Sequence, residues 1–151
     1  MPEPQRLRIL LIGASGVLGR AIVAELSPRH DIVSAGSKSG DIRIDIANPA
    51  SIVAGLKAAG PLDAVACAAG AVNWRPLSAI KLAGLEKSSY GLGLTNKLMG
   101  QVNLTLAARE HINDHGSITL IAGVLSQTPI AAGSSASIWP QPMASMQDRR
   151  L

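Results

Sequence analysis

Phenylalanine is missing from this sequence altogether, and one tyrosine and two tryptophans are the only aromatic residues among 151. A core built without large rings is filled by Ala, Val, Ile and Leu, which suits buried parallel strands covered by helices. So few rings also leave little with which to stack nucleobases. The basic residues behind the net charge of +4 are scattered rather than grouped, so nothing motivates a nucleic-acid role. A mild positive bias does suit an anionic small molecule. The single cysteine, Cys67, excludes an intrachain disulfide framework. It sits in an apolar run over 64–69 and reads as a buried strand thiol. No apolar stretch reaches the roughly 20 residues of a membrane span. The short apolar run near the N-terminus ends in a glycine loop, so no signal peptide is read, no membrane association is expected, and the cytoplasm is the default location. No metal site is expected either.

What the chain does have is 47% apolar residues and 15 glycines, enough for one domain with a real core. Arg8 to Ile12 is a short apolar run stopped by Gly13, a buried strand. Val17 to Leu26 has helical spacing and ends at Ser27-Pro28. Asp31 to Ala35 is a second strand. Asp41 to Ile46 alternates apolar and charged residues, as an outer strand does. Asn48-Pro49 opens a helix running to about Ala59. Ala64 to Ala69 is another apolar strand, Thr95 to His111 a long helix, and Ser117 to Ile121 a fifth strand. The stretch from Trp74 to Gly93 has no clear period. Strands alternating with helices predict an α/β Rossmann-like, doubly wound parallel sheet of five strands in the order 3-2-1-4-5. The nucleotide-binding domain is drawn at 1–133 and an irregular tail at 134–151, where Trp139-Pro140-Gln141-Pro142 excludes helix interior and central strand.

The sharpest motif is Gly13-Ala14-Ser15-Gly16-Val17-Leu18-Gly19, a G-x-x-G-x-x-G run between a strand and a helix. Gly13 makes the tight turn, Gly16 leaves the backbone bare for a pyrophosphate, and Gly19 allows close packing of the helix on the sheet. Free N–H groups and the helix dipole favour the anion. Where the second strand ends, NAD sites place an acid for the ribose 2′-hydroxyl and NADP sites a cation for the 2′-phosphate. Here that tip reads Gly36-Ser37-Lys38-Ser39, with no acid. Ser37 and Lys38 therefore point to NADP(H) ahead of NAD(H).

From Arg8 to about Ile130 these residues resemble the short-chain dehydrogenase/reductase family. The loop 13–19 is similar to its cofactor loop, in the spacing of extended and atypical members. The resemblance implies that Asp45-Ile46 contacts adenine, and that Ala68-Ala69-Gly70 stands for the Asn-Ala-Gly motif after the fourth strand. It also implies that Asn96, or Lys97 after a one-residue shift, occupies the position of an Asn in the helix behind the active site. The implied activity is NADP(H)-dependent oxidoreduction of a carbonyl or alcohol substrate, in an incomplete version of the family fold.

The family's chemistry uses Ser, Tyr and Lys, with Tyr and Lys four residues apart, Tyr as acid or base and Lys lowering its pKa. Aligned through Pro129-Ile130, those three positions fall near Gly123, Ala136 and Pro140, and none matches. Tyr90 has no lysine four residues later and reads as structural. Asn96, Lys97 and Ser126 are left as candidate catalytic residues, while His111 and His115 read as surface residues at the far end of the helix. The abrupt change of composition after Ser137 leads to the expectation that a reading-frame change or a truncation replaced the family's second half. Three readings stay open: an atypical oxidoreductase, a non-catalytic nucleotide-binding sensor or regulatory protein, and an inactive fragment. A homo-oligomer is expected, through the edge of strand five or the long helix.

Overall fold

The computed structural model describes residues 5–123, 125, 128 and 130–136. Five strands form one sheet in the order β3-β2-β1-β4-β5. They are β1 (Arg8–Ile12), β2 (Asp31–Gly36), β3 (Ile42–Arg43), β4 (Leu62–Cys67) and β5 (Ile112–Leu120). Every neighbouring pair is parallel. The crossovers are the helices α1 (Val17–Leu26), α2 (Pro49–Ala59) and α3 (Met99–Ala108). This is the doubly wound Rossmann-like arrangement that the alternation of elements predicts, in the predicted order.

The strands are apolar because both faces of the central ones are covered. Leu10, Leu11 and Ile12 have no exposure at all. Leu10 and Ile12 join Val33, Ile44, Ile52, Leu56, Val65 and Leu104 in the main core, which lies between the sheet and the α2/α3 layer. The register pairs Ile12 with both Ala35 and Cys67, so β1, β2 and β4 end level with one another. The segments that follow these strands therefore open along one carboxyl edge. At β1 the strand order reverses direction, and at such a switch point an open α/β sheet leaves a crevice for a ligand.

Local signals explain most boundaries. Asn48 caps α2, its Oδ1 accepting from the N–H of Ala50 (3.0 Å) and Ser51 (3.3 Å), with Pro49 at the first helical position. At the opposite edge of the sheet, Asp63 accepts from Arg8 N–H (2.7 Å) and Asn113 Nδ2 (2.8 Å), tying β1 and β5 to β4.

Four elements differ from the sequence expectation, one of them β4, which runs Leu62–Cys67 rather than Ala64–Ala69. The outer strand shrinks to Ile42–Arg43, although its alternation persists, with Ile44 and Ile46 buried and Arg43 and Asp45 exposed. Strand five starts at Ile112 rather than Ser117 and ends at Leu120. It absorbs the turn-like Asn113-Asp114-His115-Gly116 through a register shift opposite Leu62/Ala64, with His115 at φ 65°. His115 thus sits in a strand, not at a helix end. The long helix splits into a wide π-helical turn over Gly93–Leu98 and α3, which stops at Ala108. His111 lies past that end, its carbonyl accepting from Leu62 N–H at 3.0 Å. The stretch after Trp74 carries two short 3-10 turns, Leu77–Ala79 and Leu85–Lys87. Of the tail, a 3-10 segment over Ala131–Ala136 is described; there Ser135 Oγ donates to Asn73 O (2.6 Å) and accepts from Arg75 N–H (3.0 Å).

Candidate functional site

The loop between β1 and α1 is a tight turn, and sterics explain its glycines. Gly13 has φ 87°, and a Cβ there would stand 2.9 Å from the Ala68 and Ala69 backbone. No side chain fits between the ends of β1 and β4. Its N–H donates to Ala35 O at 2.8 Å, and Ala68 N–H donates to Ile12 O at 2.8 Å, so the loop is fastened to both neighbouring strands. Gly19 differs from its expected role: a Cβ on it would overlap Gly13 O and the Ala14 backbone. It lets α1 close on its own loop instead of on the sheet.

Gly16 is open. It precedes α1 with ordinary extended dihedrals, φ −71° and ψ 172°, and its only close neighbour is Gly13 O, 3.3 Å from a built Cβ. Arg20 N–H makes the first helical bond, to Gly16 O at 2.9 Å. The N–H groups of Val17, Leu18 and Gly19 consequently have no partner among the described residues. No acidic side chain stands in that first turn. Val17 is 84% exposed, so an apolar side chain is held in the open beside unpaired donors. These are the features of an anion cradle, and a dinucleotide pyrophosphate fits them.

The second loop meets the first at a serine pair. Ser39 Oγ donates to Ser15 Oγ at 2.9 Å, a contact between residues 24 apart that sequence reasoning did not find. Ser37 and Lys38 are exposed at this junction. The acid in this loop, Asp41, is engaged: its Oδ2 accepts from Ser34 N–H (2.9 Å) and Ser34 Oγ (2.7 Å), which holds the carboxyl below the usual aspartate range. Asp45 is exposed beyond β3, with Oδ1 accepting from Ala47 N–H at 3.0 Å. Ile46, by contrast, is buried, and a Cβ on Gly100 would lie 3.1 Å from its side chain. Ile46 packs β3's exit against α3.

Past β4, Ala68, Ala69 and Gly70 follow Cys67 along the same edge. Burial pushes the Cys67 thiol up, against smaller lowering contributions from the Ala69 backbone and the Lys97 charge. Asn96 Oδ1 accepts from Ala71 N–H at 2.8 Å, and the Lys97 stem lies over Gly70. The structure thus brings both helix candidates to the end of β4. It also shows a residue that no motif flags, Gln101, whose buried amide bonds the backbone of Ile121 just past β5. Ser126 lies outside the described residues. A groove of about 320 Å³ lies elsewhere, lined by Val53, Leu106, Glu110 and His111 among others and by none of the cofactor candidates.

No protein-family model matches the sequence, and no curated protein does. Solved structures do. The protein lin1944 from Listeria innocua is 37% identical, with a TM-score of 0.79, over 87% of this chain and 63% of its own. A short-chain dehydrogenase/reductase, glucose/ribitol dehydrogenase, from Brucella melitensis is 18% identical with a TM-score of 0.74, over 89% and 64%. A small-chain dehydrogenase in complex with NADPH is 18% identical with a TM-score of 0.72, over 88% and 58%. The chain spans less than two thirds of the length of these three proteins, from 58% to 64%.

Proposed function

Starting from the fact that this chain has the short-chain dehydrogenase/reductase fold, we propose that it binds NADP(H) and belongs to an oxidoreductase that interconverts a carbonyl and an alcohol. The observation that carries the reading is the loop over 13–19, where unpaired N–H groups surround a bare Gly16 at the sheet's switch point. When bound, the nicotinamide cofactor supplies or accepts the hydride.

The chain's own residues bind and orient. Gly13 to Gly19 hold the pyrophosphate on the start of α1. Ser15, Ser37, Lys38 and Ser39 donate to a 2′-phosphate where the two loops meet, which favours NADP(H) over NAD(H). Asp45 lies on the adenine side, and Ala68, Ala69 and Gly70 form a small-residue floor on the ribose side. Asn96 fixes the backbone that follows this floor through Ala71. The substrate is a small molecule, and a cytoplasmic homo-oligomer remains part of the proposal.

A second reading, nucleotide binding without turnover, is favoured by Ala136. It stands near the family's tyrosine position and is 4% exposed. Titration of NADPH and NADH fluorescence tests the first reading. Lys38→Glu should weaken NADPH binding by about 1.5–3 kcal/mol, the value of a charge-assisted contact, and leave NADH binding nearly unchanged. Equal losses for both cofactors would overturn the NADP(H) assignment. Cofactor binding without NADPH oxidation across a panel of aldehydes and ketones would favour the second reading.

A further inference from the structure

The chain has five lysines, and four of them, Lys38, Lys57, Lys81 and Lys87, are exposed. Lys97 is the half-buried one. Its stem crosses Gly70: a Cβ on that glycine would stand 2.7 Å from Lys97 Cγ, 3.1 Å from Cβ and 3.2 Å from Cδ. Gly70 has φ 145°, so two independent constraints keep this position bare beneath the lysine. The π-helical turn over Gly93–Leu98 accounts for the placement. Neighbours on an α-helix point about 100° apart; the wider turn lets both Asn96 and Lys97 reach the end of β4. Among the described residues the Lys97 ammonium has no hydrogen bond and no ion pair, and Asp41, Asp45 and Asp63 are bonded elsewhere. A lysine whose stem is packed and whose ammonium has no protein partner, at the edge of a ligand crevice, is placed to meet a ligand oxygen.

We infer that Lys97 is a second cationic group of this site beside Lys38, at the end of β4 where the nicotinamide and the oxygen of the substrate would lie. The inference rests on the cofactor reading above. Its chemistry fits a carbonyl substrate. A bound nicotinamide would supply the hydride to the carbonyl carbon; the π pair would move onto oxygen, and Lys97 Nζ would give that oxygen its proton. The lysine is left as a neutral amine and regains its proton from water. In alcohol oxidation the same groups run in reverse. Asn96, bonded to Ala71, fixes the helix turn from which Lys97 extends.

Differential labelling tests this without relying on turnover. The full chain is reductively methylated with formaldehyde and cyanoborohydride, with and without NADP⁺, and each lysine is followed by peptide mass mapping. Because a bound ligand buries most of its contact surface, NADP⁺ should slow labelling of Lys97 and Lys38 roughly tenfold and leave Lys57, Lys81 and Lys87 unchanged. Protection of Lys38 with none at Lys97 overturns the assignment of Lys97 while sparing the cofactor reading. Protection of neither, with no NADPH fluorescence change, overturns both. Lys97→Met keeps a stem over Gly70 and, with Lys38 and the 13–19 loop intact, should still bind NADPH, weakened by roughly tenfold at most, the loss of one polar contact. Its NADPH oxidation with 4-nitrobenzaldehyde should fall roughly 100-fold or more, the usual contribution of a general acid. Retention of the wild-type rate overturns the proposal.

Discussion

Gln101 holds Ile121 by both its backbone N–H and its backbone C=O: Oε1 accepts from Ile121 N–H at 3.0 Å, and Nε2 donates to Ile121 O at 3.2 Å. A side-chain amide on α3 thus does for the residue after β5 what a neighbouring strand does inside a sheet. The same Nε2 donates to Lys97 O at 3.1 Å, so the clamp also touches the π-helical turn that presents Lys97. Gln101 is only 6% exposed. Gln101→Leu removes a partner of three backbone groups and should cost about 1–3 kcal/mol in urea unfolding. Amide exchange at Ile121 should quicken with it. Wild-type stability and exchange in that variant would show that the clamp contributes nothing.

The glycines of the first loop should separate into a ligand class and a packing class. A Cβ on Gly16 meets only Gly13 O, at 3.3 Å, and its φ of −71° suits any residue. Gly16→Val should therefore fold, yet place its side chain where the pyrophosphate must descend and abolish NADPH binding. Gly19→Ala meets backbone on two sides, with Ala14 Cα at 2.7 Å. Overpacking of that kind costs about 1–3 kcal/mol or more, and thermal unfolding should show it before any ligand is added. A Gly16→Val protein that titrates normally with NADPH would remove the loop from the cofactor site.

Acid should loosen one loop and one edge of the sheet through one kind of contact. The Asp41 carboxyl is held below its ordinary value of 3.8, first by the Ser34 side-chain bond and then by the Ser34 backbone bond. The Asp63 carboxyl is held below it first by Arg8 N–H and then by the Asn113 side chain. Both folded values lie below the unfolded one, so the stabilisation is fully present above pH 3.8. It is lost as pH falls through the folded values. Asp63→Asn should flatten the acid limb of the stability curve while leaving its upper limb parallel to wild type. An unchanged acid limb in both Asp41→Asn and Asp63→Asn would show that other carboxyls set it.

Much of this was legible in the sequence, because short-range chemistry dictated it. Val17–Leu26 and Pro49–Ala59 carry their own period and punctuation, and the helices occupy those spans. The 3-2-1-4-5 order followed from alternation and handedness. The rest depended on contacts between distant residues. Nothing local in Ile112–Gly116 announces a strand, since its turn residues are carried as an irregularity between the Leu62–Ile112 and Ala64–Ser117 pairs. The Ser15–Ser39 bond joins two loops whose proximity only the sheet creates. Ile46 looked like half of a ligand-contacting pair, but the alternation along 42–46 sends it into the core while Asp45 stays outside. Gln101 looked like one polar residue on a helix, and its role appears only once β5 is in place.

The remaining prediction concerns β5. It is nine residues long and outermost in the sheet, paired with β4 on one side. Among the described residues no strand pairs with its other side. Ile118 and Leu120 are only half-buried there. An edge with free backbone donors and acceptors beside apolar side chains recruits another strand unless charge or proline blocks it. Residues 117–120, Ser-Ile-Thr-Leu, contain neither. Self-association through this edge is therefore expected, and sedimentation over a concentration series should show the apparent mass rising with protein concentration. Thr119 is exposed, so Thr119→Lys places a charge along the edge without touching the core and should shift the population toward monomer. If wild type stays monomeric at high concentration, the edge is not an interface. If wild type associates and Thr119→Lys does so equally, the contact lies on another surface, and the outer faces of α2 and α3, where Val53 and Leu106 are 54% and 57% exposed, become the next to alter.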